Sequence, residues 1–181
     1  MRKVSDGFRR TINNTLVNGD GLGKPQGILH PSSGIPICET SPSTPPGTFS
    51  WQDMVALKYE VPQQWQAGAS YLLNERTFAL LMSMSDTANR PLWNQLPGGQ
   101  PGFQFAGAPI NIVSQLPDVA SGATPVCYGS WSQAYTLVTR KAISMTTDPF
   151  SAGGWCTLFR FDCRLGRATT CSNAARLLRI R

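Results

Sequence analysis

An α+β fold follows from three features of this 181-residue chain. Tyr71-Leu72-Leu73 is a short apolar run suited to a buried strand, and it feeds directly into a helical pattern with Phe78, Leu81 and Met82 on one face. Residues 155–165, alternating apolar and polar side chains from Phe159 to Leu165, predict one long strand. Glycine (17) and proline (14) are plentiful while charged residues make up only 14%, the composition of a loop-rich protein rather than a helical bundle.

The central strand and helix explain themselves residue by residue. Asn74 breaks the apolar run, and its side-chain oxygen is suited to accept from a free backbone N–H one turn on. Glu75 then places a negative charge at the positive end of the helix dipole. Leu80 and Met84 are expected to widen the apolar stripe. Residues 83–89 compete with helical hydrogen bonding, and Pro91 forces a tight exit toward Leu92 and Trp93. No residue of this stretch is a reactive group in a catalytic pattern.

Taken from its beginning, the chain opens with a short helix capped by Ser5 or Asp6 and carrying Phe8, Ile12 and Leu16. Arg2, Lys3, Arg9 and Arg10 crowd its start, the wrong sign for a helix N-terminus, so it reads as the tail of a longer helix. Asn18-Gly19-Asp20-Gly21 ends it. The glycine-rich run GDGLGKPQG does not fit a phosphate loop, because Asn18 and Pro25 stand where such a loop needs glycine and a hydroxyl residue. Its glycines are expected to adopt positive φ in turns. An edge strand at residues 35–38 follows, then a capping box from Ser50 to Asp53 that opens a helix with Trp51, Met54, Val55, Leu57 and Tyr59. Pro62 stops it, and residues 63–68 connect to the central strand.

Beyond Trp93, residues 96–102 form a Gly/Pro loop, and 103–105 and 108–113 read as strands around Gly107. Short strands are expected at 125–129, 135–138 and 142–147, with a loop at 148–154. The long strand at 155–165 would reach roughly 36 Å, about twice the usual length. It puts Trp155, Phe159, Phe161, Cys163 and Leu165 on one face and Arg160, Asp162 and Arg164 on the other. Paired Leu177-Leu178 predicts a last strand buried on both sides.

Composition excludes several classes. The chain is long enough to bury roughly 70% of its unfolded surface without a metal or disulfide scaffold. Its five cysteines (Cys38, Cys127, Cys156, Cys163, Cys171) form no CxxC pair and there is one histidine, His30, so neither a metal nor a cofactor is expected. The cysteines read as buried reduced thiols, which implies cytosolic folding. No apolar run approaches the roughly 20 residues of a membrane span, and no signal peptide follows Met1, so the chain reads as soluble, without a membrane partner. Net charge is +6, and Arg160, Arg164, Arg167, Arg176, Arg179 and Arg181 are accompanied by one acid, Asp162.

The order of these elements is familiar. A helix end followed by NGDGLGKPQGIL, a helix after Ser50, YLLNERTFALLMSMSDTANRPLW, FAGAPINIVSQLPD, YGSWSQAYTLVTR, the DPF loop and the final ARLLRI together resemble the major capsid proteins of HK97-type tailed phages. The likeness covers nearly the whole chain. It implies an HK97-like α+β capsid fold: an axial domain at 25–140, the end of a spine helix at 1–24, a long β-hairpin of a truncated peripheral domain at 141–168, and a terminal strand at 169–181 returning to the axial domain. It further implies a structural subunit of a phage or prophage icosahedral virion, made in the bacterial cytoplasm and partnered by copies of itself in pentamers and hexamers. Scaffold and portal proteins and non-specific contact with enclosed DNA would be further partners. The family's N-terminal arm and extended loop have no counterpart here, so the chain is expected to fold without closing a shell. With Trp155 where some relatives carry a cross-linking asparagine, no cross-link is expected. Asp148, Phe150, Trp155, Arg160, Asp162 and Arg164 are the candidates for subunit contacts.

Two other functions compete with this reading. An enzyme would need a base, and His30 stands beside Pro31 with no GxSxG elsewhere; Asp148 and Asp162 make a poor carboxylate pair, one in a turn and one among arginines. No catalytic residue is assigned. A basic nucleic-acid-binding module could use Arg160, Arg164 and Arg167 on phosphates. Phe159 and Phe161 point away from those arginines, however, so no stacking platform accompanies the charge. Salt bridges to a neighbouring subunit suit the arginines better.

Overall fold

A computed structural model describes residues 2–85, 93–95, 102–148 and 157–181. Its centre is a seven-stranded mixed sheet in the order β1-β9-β6-β2-β5-β4-β3, with β1 Ile37–Glu39, β2 Ser70–Leu73, β3 Trp93–Gln95, β4 Phe103–Phe105, β5 Ala108–Ile112, β6 Val126–Gly129 and β9 Ala175–Arg179. The remaining strands, β7 Tyr135–Asp148 and β8 Leu158–Thr169, form a separate two-stranded antiparallel sheet. Among the described residues there are five α-helices: α1 Arg2–Asn18, α2 Trp51–Glu60, α3 Gln63–Gln66, α4 Glu75–Ser83 and α5 Trp131–Ala134.

Strands β2, β6 and β9 are buried on both faces, and alternation decides which side chain goes where. Tyr71, Leu73, Val126, Tyr128, Leu178 and Ile180 join Met54 and Leu57 of α2 and Leu81 of α4 in one core. Cys127 and Leu177 point the other way and pack with Val17, Ile35, Leu116 and Ala134. The doublet Leu177-Leu178, 2% and 1% exposed, therefore feeds two cores at once, as its sequence predicts. Tyr71 donates from its hydroxyl to the Met54 carbonyl at 3.1 Å and stacks 4.5 Å from Tyr128.

The expected caps are present. Asn74 Oδ1 accepts from Thr77 N at 2.7 Å, and its amide nitrogen donates to Leu116 O and Asp118 Oδ1. Ser50 and Asp53 form a reciprocal capping box on α2. Gly21 and Gly23 have φ of 81° and 67° as expected for turns. Gly27 has a different reason to be glycine: a Cβ there would stand 2.2 Å from the Val17 carbonyl oxygen.

Several expectations are corrected. α1 begins at Arg2 and is not capped at Ser5 or Asp6. Residues 63–66 form a short helix where a connection was expected, and residues 131–134 form another between the strands on either side. Leu80 and Tyr59 are exposed, because the buried faces of α4 and α2 are centred on Thr77 and Leu81 and on Met54 and Leu57. The strands expected at 135–138 and 142–147 are one strand, since shifts of register near Thr139, Lys141 and Ser144 absorb the break without ending the ladder. The long strand is described from Leu158 to Thr169, four residues beyond its expected end. Of the described cysteines, only Cys127 is buried, its thiol pushed up to about 12 by that burial; Cys38, Cys163 and Cys171 are half-buried and free. Cys156, the exit expected at 86–92, and residues 96–101 and 149–156, where loops and the start of the long strand were expected, lie outside the described residues.

Candidate subunit interface

The β7–β8 ribbon leaves the sheet at Tyr135 and returns at Thr169. Its base is fastened by side chains of both strands. The Arg167 guanidinium lies 4.7 Å from the centre of the Tyr135 ring and donates to Thr169 Oγ1 and to the Gly27 carbonyl, each at 3.2 Å. Thr136 and Thr170 share a hydroxyl hydrogen bond of 2.8 Å. Burial raises the Tyr135 phenol, with Arg167 opposing that shift, and the hydroxyl has no hydrogen-bond partner among the described residues. The ribbon is thus held where it meets the end of α1.

Farther out it is wet on both faces. Leu137, Val138, Ile143, Met145, Leu158 and Phe159 are all exposed, Val138 by 57% and Phe159 by 54%. A lone two-stranded ribbon is marginal in water, and exposed apolar side chains concentrated on one element mark a contact surface. Lys141 Nζ donates to Asp162 Oδ2 across the ribbon and Ser144 Oγ donates to Asp162 Oδ1 at 2.9 Å. Those hydrogen bonds, the lysine's first, hold the Asp162 carboxyl below its ordinary value.

The six contact candidates separate accordingly. Asp148 ends β7 opposite Leu158, and Arg160 and Arg164 are exposed on β8 opposite Thr146 and Lys141. Asp162 is engaged within its own ribbon by Lys141. Phe150 and Trp155 lie outside the described residues. Sequence reasoning missed Lys141 as the partner of Asp162, and missed the Tyr135–Arg167 contact. It also missed β7 as a source of exposed apolar groups, although Leu137, Ile143 and Met145 alternate legibly with polar residues.

Little else resembles a reactive site. His30 Nδ1 accepts from Ser32 N at 3.2 Å as the cap of a short 3-10 turn and lies 3.1 Å from Gln26 Nε2. Among the described residues no cluster of three or more His, Cys, Asp or Glu could hold a metal, and no helix is long and apolar enough to cross a membrane.

A double-sided seven-stranded sheet with a projecting ribbon laid beside a long helix is the HK97-like architecture of capsid proteins. The chain belongs to the phage capsid family, whose family model matches residues 1–180. No curated protein matches it. Among solved structures, the capsid of an empty GTA particle superposes with a TM-score of 0.86 at 27% identity, over 99% of this chain and 64% of that one. Gordonia phage Cozz gives 0.66 at 16% identity, over 99% and 62%. The holo-SrpI encapsulin complex from Synechococcus elongatus gives 0.70 at 13%, over 98% and 63%. The chain therefore spans less than two thirds of the length of each.

Proposed function

We propose that this chain is a structural subunit of a phage or prophage icosahedral shell, acting through repeated contacts between copies and carrying no catalytic activity. One observation carries the reading beyond the family match: the ribbon exposes apolar side chains on strands of 14 and 12 residues that the chain's own core does not use. Repeated identical contacts are how a closed shell is built. Residues 25–134 with the terminal strand would gather around the symmetry axes as the axial part, and α1 with the ribbon would form the peripheral part. The unbroken β7 favours a junction at Tyr135 over one at residue 140. Asp148, Phe150, Trp155 and Arg160 would meet neighbouring subunits, while Arg164 faces the cleft beside α1 and Asp162 braces the ribbon through Lys141. The subunit would be made in the host cytoplasm and pass into the virion, with scaffold and portal proteins and the enclosed DNA as further partners.

Sedimentation of the purified chain tests this. Concentration-dependent association that weakens in M145S/F159S, with thermal unfolding unchanged, is the expected result. A chain that stays monomeric at high micromolar concentration, or one that turns over ester or peptide substrates and loses that turnover in H30A and D162A, overturns it.

A further inference from the structure

Between α1 and the ribbon lies a cleft of about 720 Å³. Phe8, Ile12 and Leu16 form one wall, Val138 and Leu165 the other. None of these five is buried. The apolar stripe of α1 and the strands that face it stand apart. The rim is cationic. Lys24, Arg140 and Arg164 line it, and no carboxylate among the described residues does. Lys24 is paired with Asp20 at 3.2 Å, whereas Arg140 and Arg164 are exposed and form no ion pair among the described residues.

We propose that this cleft receives an amphipathic helix of a separate partner protein, apolar along one face and flanked by Asp and Glu. The apolar wall follows α1 from Phe8 to Leu16, about 12 Å at 1.5 Å per residue, which suits anchors spaced i, i+4 and i+7 on an incoming helix. Carboxylates beside those anchors meet the two unpaired guanidinium groups, a geometry arginine binds well. A nucleic-acid backbone would use the rim and leave both walls wet. A second copy of this chain is a poorer occupant: each helix among α1, α2 and α4 offers a single exposed carboxylate, Asp6, Glu60 or Glu75 respectively.

A fluorescent peptide with Leu at i, i+3, i+4, i+7 and i+11 and Glu at the flanking positions serves as probe, with its Lys-for-Glu counterpart as control. Anisotropy is expected to show saturable binding of the acidic peptide alone, weakened about tenfold in R140E/R164E and by added salt, and weakened in V138S with the charges intact. No binding, equal binding of both peptides, or equal affinity in R140E/R164E overturns the proposal. Self-association that competes with the peptide and disappears in R140E/R164E reassigns the cleft to a second copy and overturns the separate partner. A chain that associates normally while ignoring the peptide removes this inference and leaves the shell reading standing.

Discussion

The seven-stranded sheet and the β7–β8 ribbon use the same residue types to opposite ends. In the sheet, Val126, Leu177 and Leu178 are 0–2% exposed; in the ribbon, Val138, Leu137 and Phe159 are 41–57% exposed. Both are antiparallel where β6 meets β9 and β7 meets β8, with shifts of register in the second ladder. What differs is whether another layer lies on the strand. The sheet has helices and loops on its two faces, while among the described residues the ribbon has the 21–27 loop at its base and α1 at a distance that leaves a cleft. Apolar residues in the sheet thus stabilise the chain, and those in the ribbon are available to stabilise contacts between chains.

The comparison is broken most severely by truncating the sheet. Leu178→Ala removes a side chain that shares one buried core with Val126, Tyr128 and Met54. A loss of about 2–5 kcal/mol in chemical denaturation is expected. Val138→Ala, a deletion of similar kind on the ribbon, should lie within about 0.5 kcal/mol. Equal losses at the two sites would mean that the ribbon is part of the folding core.

A second effect belongs to the sheet region alone. Asp53 is buried and accepts from Ser41 N and Ser50 N at 2.8 Å each, Thr44 Oγ1 at 2.9 Å and Ser50 Oγ at 3.0 Å. Burial alone would raise its carboxyl, but the Ser41 and Ser50 amides and the two hydroxyls outweigh that and hold it below the ordinary 3.8. A depressed folded value means that the stabilisation is complete above the ordinary value and is lost as pH falls through the folded one. Asp53→Ala should cost about 2–3 kcal/mol at neutral pH by orphaning the four donors that converge on its carboxylate. Asp53→Asn should keep part of that stability and flatten acid unfolding below pH 4, which circular dichroism across a pH series would show.

A smaller effect has the opposite sign. The β4–β5 turn joins Phe105 to Ala108 through Ala106 and Gly107, with φ of 49° and 79°. Such a tight turn favours Asn or Gly at its first position, and Ala106 is the only described non-glycine residue with positive φ. Ala106→Gly or Ala106→Asn should raise stability by up to about 1 kcal/mol, seen as a higher melting temperature.

Legibility in the sequence followed the same division. Elements whose stability is local or buried were readable: the Asn74 and Ser50 caps, the edge strand with Pro36, and the doublet Leu177-Leu178 facing two cores. The long strand was readable from alternation alone. The unity of β7 was not, because Arg140-Lys141 interrupts the pattern and only a partner strand with shifted register carries the ladder across it. The helical turns at 63–66 and 131–134 are too short to show a period. The ribbon's role was half legible: its arginines drew attention, while its exposed apolar groups could not be told from core residues until their neighbours were known. Asp162 illustrates the same limit, since its partner Lys141 lies 21 residues away across the ribbon.

That pair supplies the smallest expected effect and the finest test of the comparison. Lys141 and Asp162 retain 49% and 40% side-chain exposure, so water and salt screen their attraction and the cost of ordering a lysine side chain offsets much of the gain. The sign of its pH dependence matches that of Asp53: the Asp162 carboxyl is held low, first by Lys141 and then by Ser144, so the contribution is present above 3.8 and lost as pH falls through the lowered value. The magnitude should not match. Asp162→Asn is expected to shift the melting temperature less than any substitution above, with the residual shift vanishing in high salt, whereas the Asp53→Asn effect should survive salt because its amide and hydroxyl donors converge on a buried carboxylate. A salt-resistant loss in Asp162→Asn comparable to that of Asp53→Asn would show that the ribbon is held as firmly as the sheet, and would erase the distinction between a region that folds the chain and a region that joins it to others.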